Sequence, residues 1–270
     1  MTTSAISLIA RALPVPAGAG MARTLVRRNI TAWTHAWPTI VSGFFEPVFY
    51  LFSLGVGIGA LVGTVEVGGR SVDYAMFVAP ALLASSAMNG AVFDTTGNVF
   101  FKLKYARLYD SVLATPLGPR DVAVGEVTWA LIRGTIYAAG FYVVMVVAHL
   151  VTSWWSLLML PAAVLIGLAF AGVGMAATTY MRSWQDLDLV QLAVLPMFLL
   201  SSTFYPLSVY PEKLRLVIRA TPLFQAVALE RDLAFGMVTP ELLLHVIYLL
   251  ALGLLGMLIS ARRLERLLLS

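Results

Sequence analysis

The sequence predicts an all-α polytopic membrane protein, and three observations carry that prediction. Of its 270 residues, 60% are hydrophobic and 12% charged, about half the charged share of an ordinary soluble domain. Those charges fall in short clusters between long apolar runs. The runs approach the roughly 20 residues that a helix needs to cross a hydrocarbon core of about 30 Å. The basic balance, +4 overall, is explained by arginines in cytoplasmic loops, so no nucleic-acid partner is expected. With no cysteine, disulfides, thiolate metal sites and cysteine nucleophiles are excluded together.

Charge-poor runs place six transmembrane helices at 38–61, 74–96, 122–150, 156–181, 189–207 and 242–260 of one domain, 1–270. The third and fourth are separated by Thr152-Ser153-Trp154-Trp155, a polar break with interfacial aromatics. Placing the N-terminus inside keeps Arg11, Arg23, Arg27, Arg28, Lys102, Lys104, Arg107, Arg120, Arg182, Arg262, Arg263 and Arg266 in the cytosol. It leaves Arg70, Lys213, Arg215, Arg219 and Arg231 outside. Both termini, 1–37 and 261–270, are therefore expected to be cytoplasmic, in a multi-pass protein of the cell membrane. The first twenty residues lack the pattern of a cleaved signal peptide.

Three segments outside the spans have their own periodicity. Ala22, Leu25, Val26, Ile30, Trp33 and Trp37 recur at helical spacing with Arg23, Arg27 and Arg28 on the other face, the pattern of a helix lying flat in the membrane interface. In the cytoplasmic loop 101–118, Tyr105, Leu108, Tyr109, Val112 and Leu113 form an apolar stripe backed by Lys104 and Arg107, which predicts a short amphipathic helix. Such a stripe either packs on its own membrane domain or receives a soluble partner. Thr115-Pro116-Leu117-Gly118-Pro119 ends it, and Pro119 suits the start of the next helix. In the outer loop 208–236, Pro211 opens one short helix and Thr221-Pro222 a second that ends near Gly236, an arrangement that predicts a re-entrant hairpin.

Phe44-Phe45-Glu46-Pro47, Lys104-Tyr105-Ala106-Arg107 leading to Ala114-Thr115-Pro116-Leu117, Arg182-Ser183-Trp184-Gln185-Asp186, and Thr203-Phe204-Tyr205-Pro206-Leu207 with Thr221-Pro222-Leu223 together resemble type-2 ABC exporter permeases of the nodulation-factor and lipooligosaccharide branch. The resemblance covers nearly the whole chain. It implies an N-terminal interfacial helix, a cytoplasmic coupling helix between spans two and three, and outer re-entrant helices before span six. It also implies that two permease copies, identical or different, assemble in the lipid bilayer with two copies of an ABC ATP-binding subunit. On that reading Lys104, Tyr105, Arg107, Leu108, Tyr109 and Val112 dock the ATPase, and the cargo is amphipathic: a lipid-linked saccharide, a lipid or a drug.

The chain carries no G-x-x-x-x-G-K-[ST] phosphate loop, so ATP and Mg are expected on the partner and no cofactor on this chain. Gly55, Gly59 and Gly63 read as a small-residue face for close helix approach. His35, His149 and His245 are scattered, no metal is expected, and no catalytic motif is present. The membrane-depth charges Glu46, Asp94 and Arg133 each cost about 2.5 to 3.5 kcal/mol near a helix centre unless partnered, so Arg133 is expected to pair with Glu46 or Asp94. Phe45, Phe49, Tyr50, Phe198 and Phe204 are candidates for surfaces facing the cargo, with lipid-facing or core packing as the other reading. Two other functions fit the residues. An ion-coupled secondary transporter would use Glu46, Asp94 and Arg133. A membrane-embedded transferase would use Asp186 with Asp188.

Overall fold

The computed structural model describes residues 21–33 and 37–269. The expected cytoplasmic stretch 1–20 with Arg11, the residue His35, and Ser270 lie outside the described residues. Among the described residues, five helices are long and apolar enough to cross a membrane: Phe45–Val62, Tyr74–Tyr105, Pro119–Val147, Trp154–Thr178 and Glu241–Leu268.

The chain opens with α1 (Ala22–Trp33), whose Ala22, Leu25, Val26 and Asn29 are buried while Arg23, Arg27 and Arg28 stay exposed. Ala22, Leu25 and Val26 of the amphipathic stripe are thus covered by protein, while the side chain of Trp37 lies outside the described residues. Leu25 lies where a side chain at Gly125 would collide with it, so that glycine permits the contact. The first crossing follows as α2 (Trp37–Phe52), a π-helical stretch at Ser53–Ile58 and α3 (Gly59–Val62). Gly55 approaches Ala75, but Gly63 has a φ of +69° and meets nothing. The expected small-residue face therefore ends in a chain reversal.

That reversal leads into a β-hairpin absent from the all-α prediction: β1 (Thr64–Val67) pairs antiparallel with β2 (Arg70–Asp73), Val65 opposite Val72. Gly68 and Gly69, with φ of 57° and 76°, supply the two positive-φ positions that a tight hairpin turn of right-handed twist requires.

The second crossing, α4 (Tyr74–Phe93), is the central helix of the bundle. Residues on all its sides are buried, against α6 (Pro119–Val147), α7 (Met159–Thr178) and α10 (Pro222–Phe235). It continues helically through π segments at Asp94–Asn98 and Phe101–Tyr105, nine residues beyond the expected span 74–96. Helix α5 (Leu108–Leu113) follows a break at Arg107, whose φ is 44°. The predicted stripe from Tyr105 to Leu113 is consequently split between two helices. Pro119 starts α6, and the Gly118 amide donates to Asp121 Oδ2 at 3.0 Å.

After a 3-10 turn at Trp154–Leu158, α7 packs most extensively on α11 (Glu241–Leu269). Gly172, Gly253 and Gly256 make this contact possible. A Cβ built on Gly256 would lie 2.3 Å from the Gly172 backbone, closer than any side chain permits. Helix α8 (Asp186–Leu200) has fifteen residues, a rise of about 22 Å, and ends before the predicted residue 207. Among the described residues it buries none. Then come α9 (Glu212–Ala220) and α10, where the Thr221 hydroxyl accepts from the Phe224 amide and Gly236 closes the helix at a φ of 71°.

Candidate functional site

A cavity of about 580 Å³ opens between α2, α4, α6 and α8, well inside the span of α4. In an otherwise apolar helix, Ser85, Ser86 and Asn89 fall on the side that faces it, and Gly90 leaves room beside them. Glu46 enters from α2, Arg133 and Tyr137 from α6, and Gln191 from α8, while Tyr50 and Phe198 supply aromatic walls. Their rings meet edge to face at 6.2 Å, and Phe198 meets Phe204 at 5.1 Å. The wall thus alternates hydrogen-bonding groups with aromatic faces, a lining that accepts a ligand both polar and apolar.

Of the five aromatics singled out from sequence, Tyr50 and Phe198 line this cavity and Phe204 backs it. Phe45 and Phe49 stack on each other at 5.6 Å, outside the lining and exposed. Ser85, Ser86, Asn89, Tyr137 and Gln191 were not singled out. Their signal was present: polar residues three and four apart within an apolar span, and Tyr137 one turn beyond Arg133.

Arg133 is held by Asp94, Nη2 to Oδ1 at 2.6 Å, rather than by Glu46. The π turn widens the helix at Asp94, and Asn98 Nδ2 donates to the same Asp94 oxygen at 2.7 Å. Thr95 and Thr96 turn their hydroxyls back to Ala91 O and Val92 O, and Thr178 of α7 donates to Thr95 O at 2.6 Å. Polar side chains therefore satisfy the loosened turn. Glu126, seven residues before Arg133, takes a different partner: Lys102 Nζ stands 2.6 Å from its Oε2, and Asn29 of α1 donates to the same oxygen at 3.2 Å. Glu46 makes no ion pair among the described residues and is exposed beside the cavity.

The face around α5 divides in two. Tyr109 and Val112 are 1% and 8% exposed and belong to the chain's own core. Contrary to expectation these two side chains are covered by the membrane domain and do not reach a partner's surface. The Tyr109 hydroxyl lies beside Glu126 without completing a hydrogen bond of regular geometry, and burial, then that carboxylate, push the phenol well above its usual range. Leu108 is half-buried, whereas Lys104, Tyr105 and Arg107 are exposed. Tyr105 joins Phe100, Phe101 and Trp184 in a ring cluster with centroids about 6 Å apart. This cluster unites the loop before α5 with the turn before α8. In that turn, the Arg182 and Ser183 amides donate to Asp186 at 2.6 and 3.1 Å. Asp186 serves as a turn clamp.

Among the described residues, no group of His, Cys, Asp and Glu is placed to hold a metal ion.

Residues 22–235 match the family described as ABC-2 type transporter. The chain is 32% identical over 259 residues to nodulation protein J of Rhizobium leguminosarum bv. viciae, covering 93% of this chain and 98% of that one. It is 34% identical over 223 residues to the protein of the same name from Rhizobium leguminosarum bv. trifolii, covering 82% and 83%. The nodulation protein J of Rhizobium meliloti is 32% identical over 223 residues, with the same coverage.

Proposed function

The chain belongs to the ABC-2 type transporter family, in the branch of the nodulation J proteins, and from that membership we propose that it is the membrane half of an ATP-driven exporter of an amphipathic, lipid-linked saccharide. It is a multi-pass membrane permease whose ATPase is a separate subunit. In this reading ATP and Mg sit on that subunit, two copies of which drive a pair of permeases.

The observation that carries the reading is the cavity at Glu46, Asn89, Arg133 and Gln191. Polar groups at membrane depth are costly in lipid and belong to a protein-lined or wet path. Glu46 and Gln191 are exposed on this single chain, so a second permease copy facing α2 and α8 is what covers them. Carboxamides, hydroxyls and aromatic faces suit a hydroxylated headgroup, and the exposed apolar surface of α8 suits its lipid. We count α8, extended by residues 201–205, as the fifth of six crossings and α11 as the sixth, with α9 and α10 returning to the outer side between them and both termini in the cytosol. The ATPase docks on Lys104, Tyr105, Arg107 and the exposed part of Leu108.

Reconstitution of the chain with its ATP-binding subunit in proteoliposomes tests the proposal. ATP-dependent movement of a fluorescent lipid-linked oligosaccharide is expected only when both subunits are present. Movement by the permease alone under a proton or sodium gradient would establish the secondary-transporter reading instead.

A further inference from the structure

A second cavity, of about 670 Å³, lies on an adjacent face of α8, between it and α7 with α11, and shares Val92 and Val194 with the first. It begins at Tyr180, Arg182 and Asp186 and runs along α8 as far as Met197 and Pro222. Eleven residues of helix from Asp186 to Met197 rise about 17 Å, close to the half-thickness of a hydrocarbon core of about 30 Å. Its walls are apolar, among them Phe170, Val173, Ala177, Val190 and Ala193. Nothing in the described chain fills it, since α8 buries no residue.

The polar groups gather at one end. Asp186 is engaged by the Arg182 and Ser183 amides at 2.6 and 3.1 Å, and the Arg182 side chain makes no ion pair among the described residues. Arg263 lies over the Tyr180 ring at 3.8 Å, and its buried Nε lacks a hydrogen-bond partner. Arg262 and Arg266 continue the basic end of α11. The groove is thus one leaflet deep and apolar along its length, with Arg182 and Asp186 at its mouth and the basic end of α11 adjoining it through the Arg263–Tyr180 contact.

We propose that this groove binds an acidic glycerophospholipid of the cytoplasmic leaflet, its acyl chain along α8 and its phosphate at Arg182 and Arg263. The leaflet assignment rests on the cytoplasmic placement of Arg182 in the proposed topology. Asp186 is already engaged by two backbone amides, which leaves the Arg182 and Arg263 guanidinium groups to select an anionic headgroup, and the length matches one leaflet. The lipid supports α8 on the face next to the cargo cavity, with Val92 and Val194 forming the wall between them.

Native mass spectrometry of the purified full chain, delipidated and then given phosphatidylglycerol or phosphatidylcholine of the same acyl composition, tests the site. A phosphatidylglycerol adduct is expected to persist where phosphatidylcholine is lost. Arg182→Gln and Arg263→Gln should each lower its occupancy about fivefold, the worth of one basic residue near an acidic headgroup. Ala177→Phe with Ala193→Phe should abolish it. Equal retention of the two lipids, or unchanged retention in the filled groove, overturns the proposal. So does displacement of the adduct by a lipid-linked oligosaccharide at equal concentration, or loss of a permease dimer in the filled variant with lipid unchanged. Spin-labelled phosphatidylglycerol added to the unmodified chain gives a readout that needs no variant. An immobilised component displaced by unlabelled phosphatidylglycerol is expected, and its absence sinks the idea. None of these measurements requires ATP or transport, so failure of the lipid site leaves the exporter reading standing, and the reverse.

Discussion

Arg133 Nη2 and Asp94 Oδ1 stand 2.6 Å apart, joining α6 to the π turn of the second crossing at the floor of the polar cavity. Both side chains are largely buried, so the pair acts less as a source of stability than as a constraint that neither partner can abandon alone. Removing one leaves an uncompensated buried charge. Arg133→Gln or Asp94→Asn should each destabilise the chain by about 3 to 5 kcal/mol, and the double variant should lie closer to wild type than the sum of the singles. Thermal unfolding in detergent measures this cycle, and additive effects would show that the two side chains act independently.

Gly90 lines the cavity, and a Cβ there meets nothing within 4 Å. Gly90→Leu should therefore fold normally while narrowing the path. Its expected signature is export reduced by tenfold or more, on the order of 1.4 kcal/mol in transport barrier, with unchanged thermal stability. Normal export from a folded Gly90→Leu protein would remove the cavity from the cargo route.

Tyr105 and Tyr109 are four residues apart yet face opposite environments, 58% and 1% exposed. Tyr109→Ala should cost about 3 to 5 kcal/mol of stability, as for other large buried side chains. Tyr105→Asp should cost less, about 0.5 to 1.5 kcal/mol from its ring contacts, and weaken co-purification of the ATP-binding subunit. If Tyr105→Asp retains that subunit fully, the docking surface lies elsewhere.

Gly256 touches the Gly172 backbone across α7 and α11. Gly256→Val must push the two helices apart, at a cost of about 1 to 3 kcal/mol or more. Gly57→Val, where a Cβ meets nothing, should be tolerated. Comparing the yields of monodisperse protein for the two variants distinguishes a packing glycine from a permissive one.

Helix positions, the proline and glycine boundaries of α6 and α10, and the existence of α5 were legible in residue order because they depend on local quantities: apolar run length, period, and a missing amide. The Gly68-Gly69 turn between valine-bearing strands was equally local, and its short pattern was masked by the long apolar runs around it. The stripe on α5 was readable, but a stripe says only that a face avoids water. Whether Tyr109 meets a neighbouring helix or a foreign subunit depends on what lies across from it.

Residue order thus settled that this chain dissolves in lipid, roughly where it crosses, and which side chains are too polar to be left alone there. It offered Arg133 two acidic partners and Glu126 none in particular. The assignment of Asp94 to Arg133 and Lys102 to Glu126, the close passage of Gly172 and Gly256, and the gathering of Ser85, Asn89, Tyr137 and Gln191 around one cavity came from helix packing. Ion pairs and cavities depend on separations of a few ångströms between helices distant in sequence, and those separations are set by side-chain volumes across the whole interface.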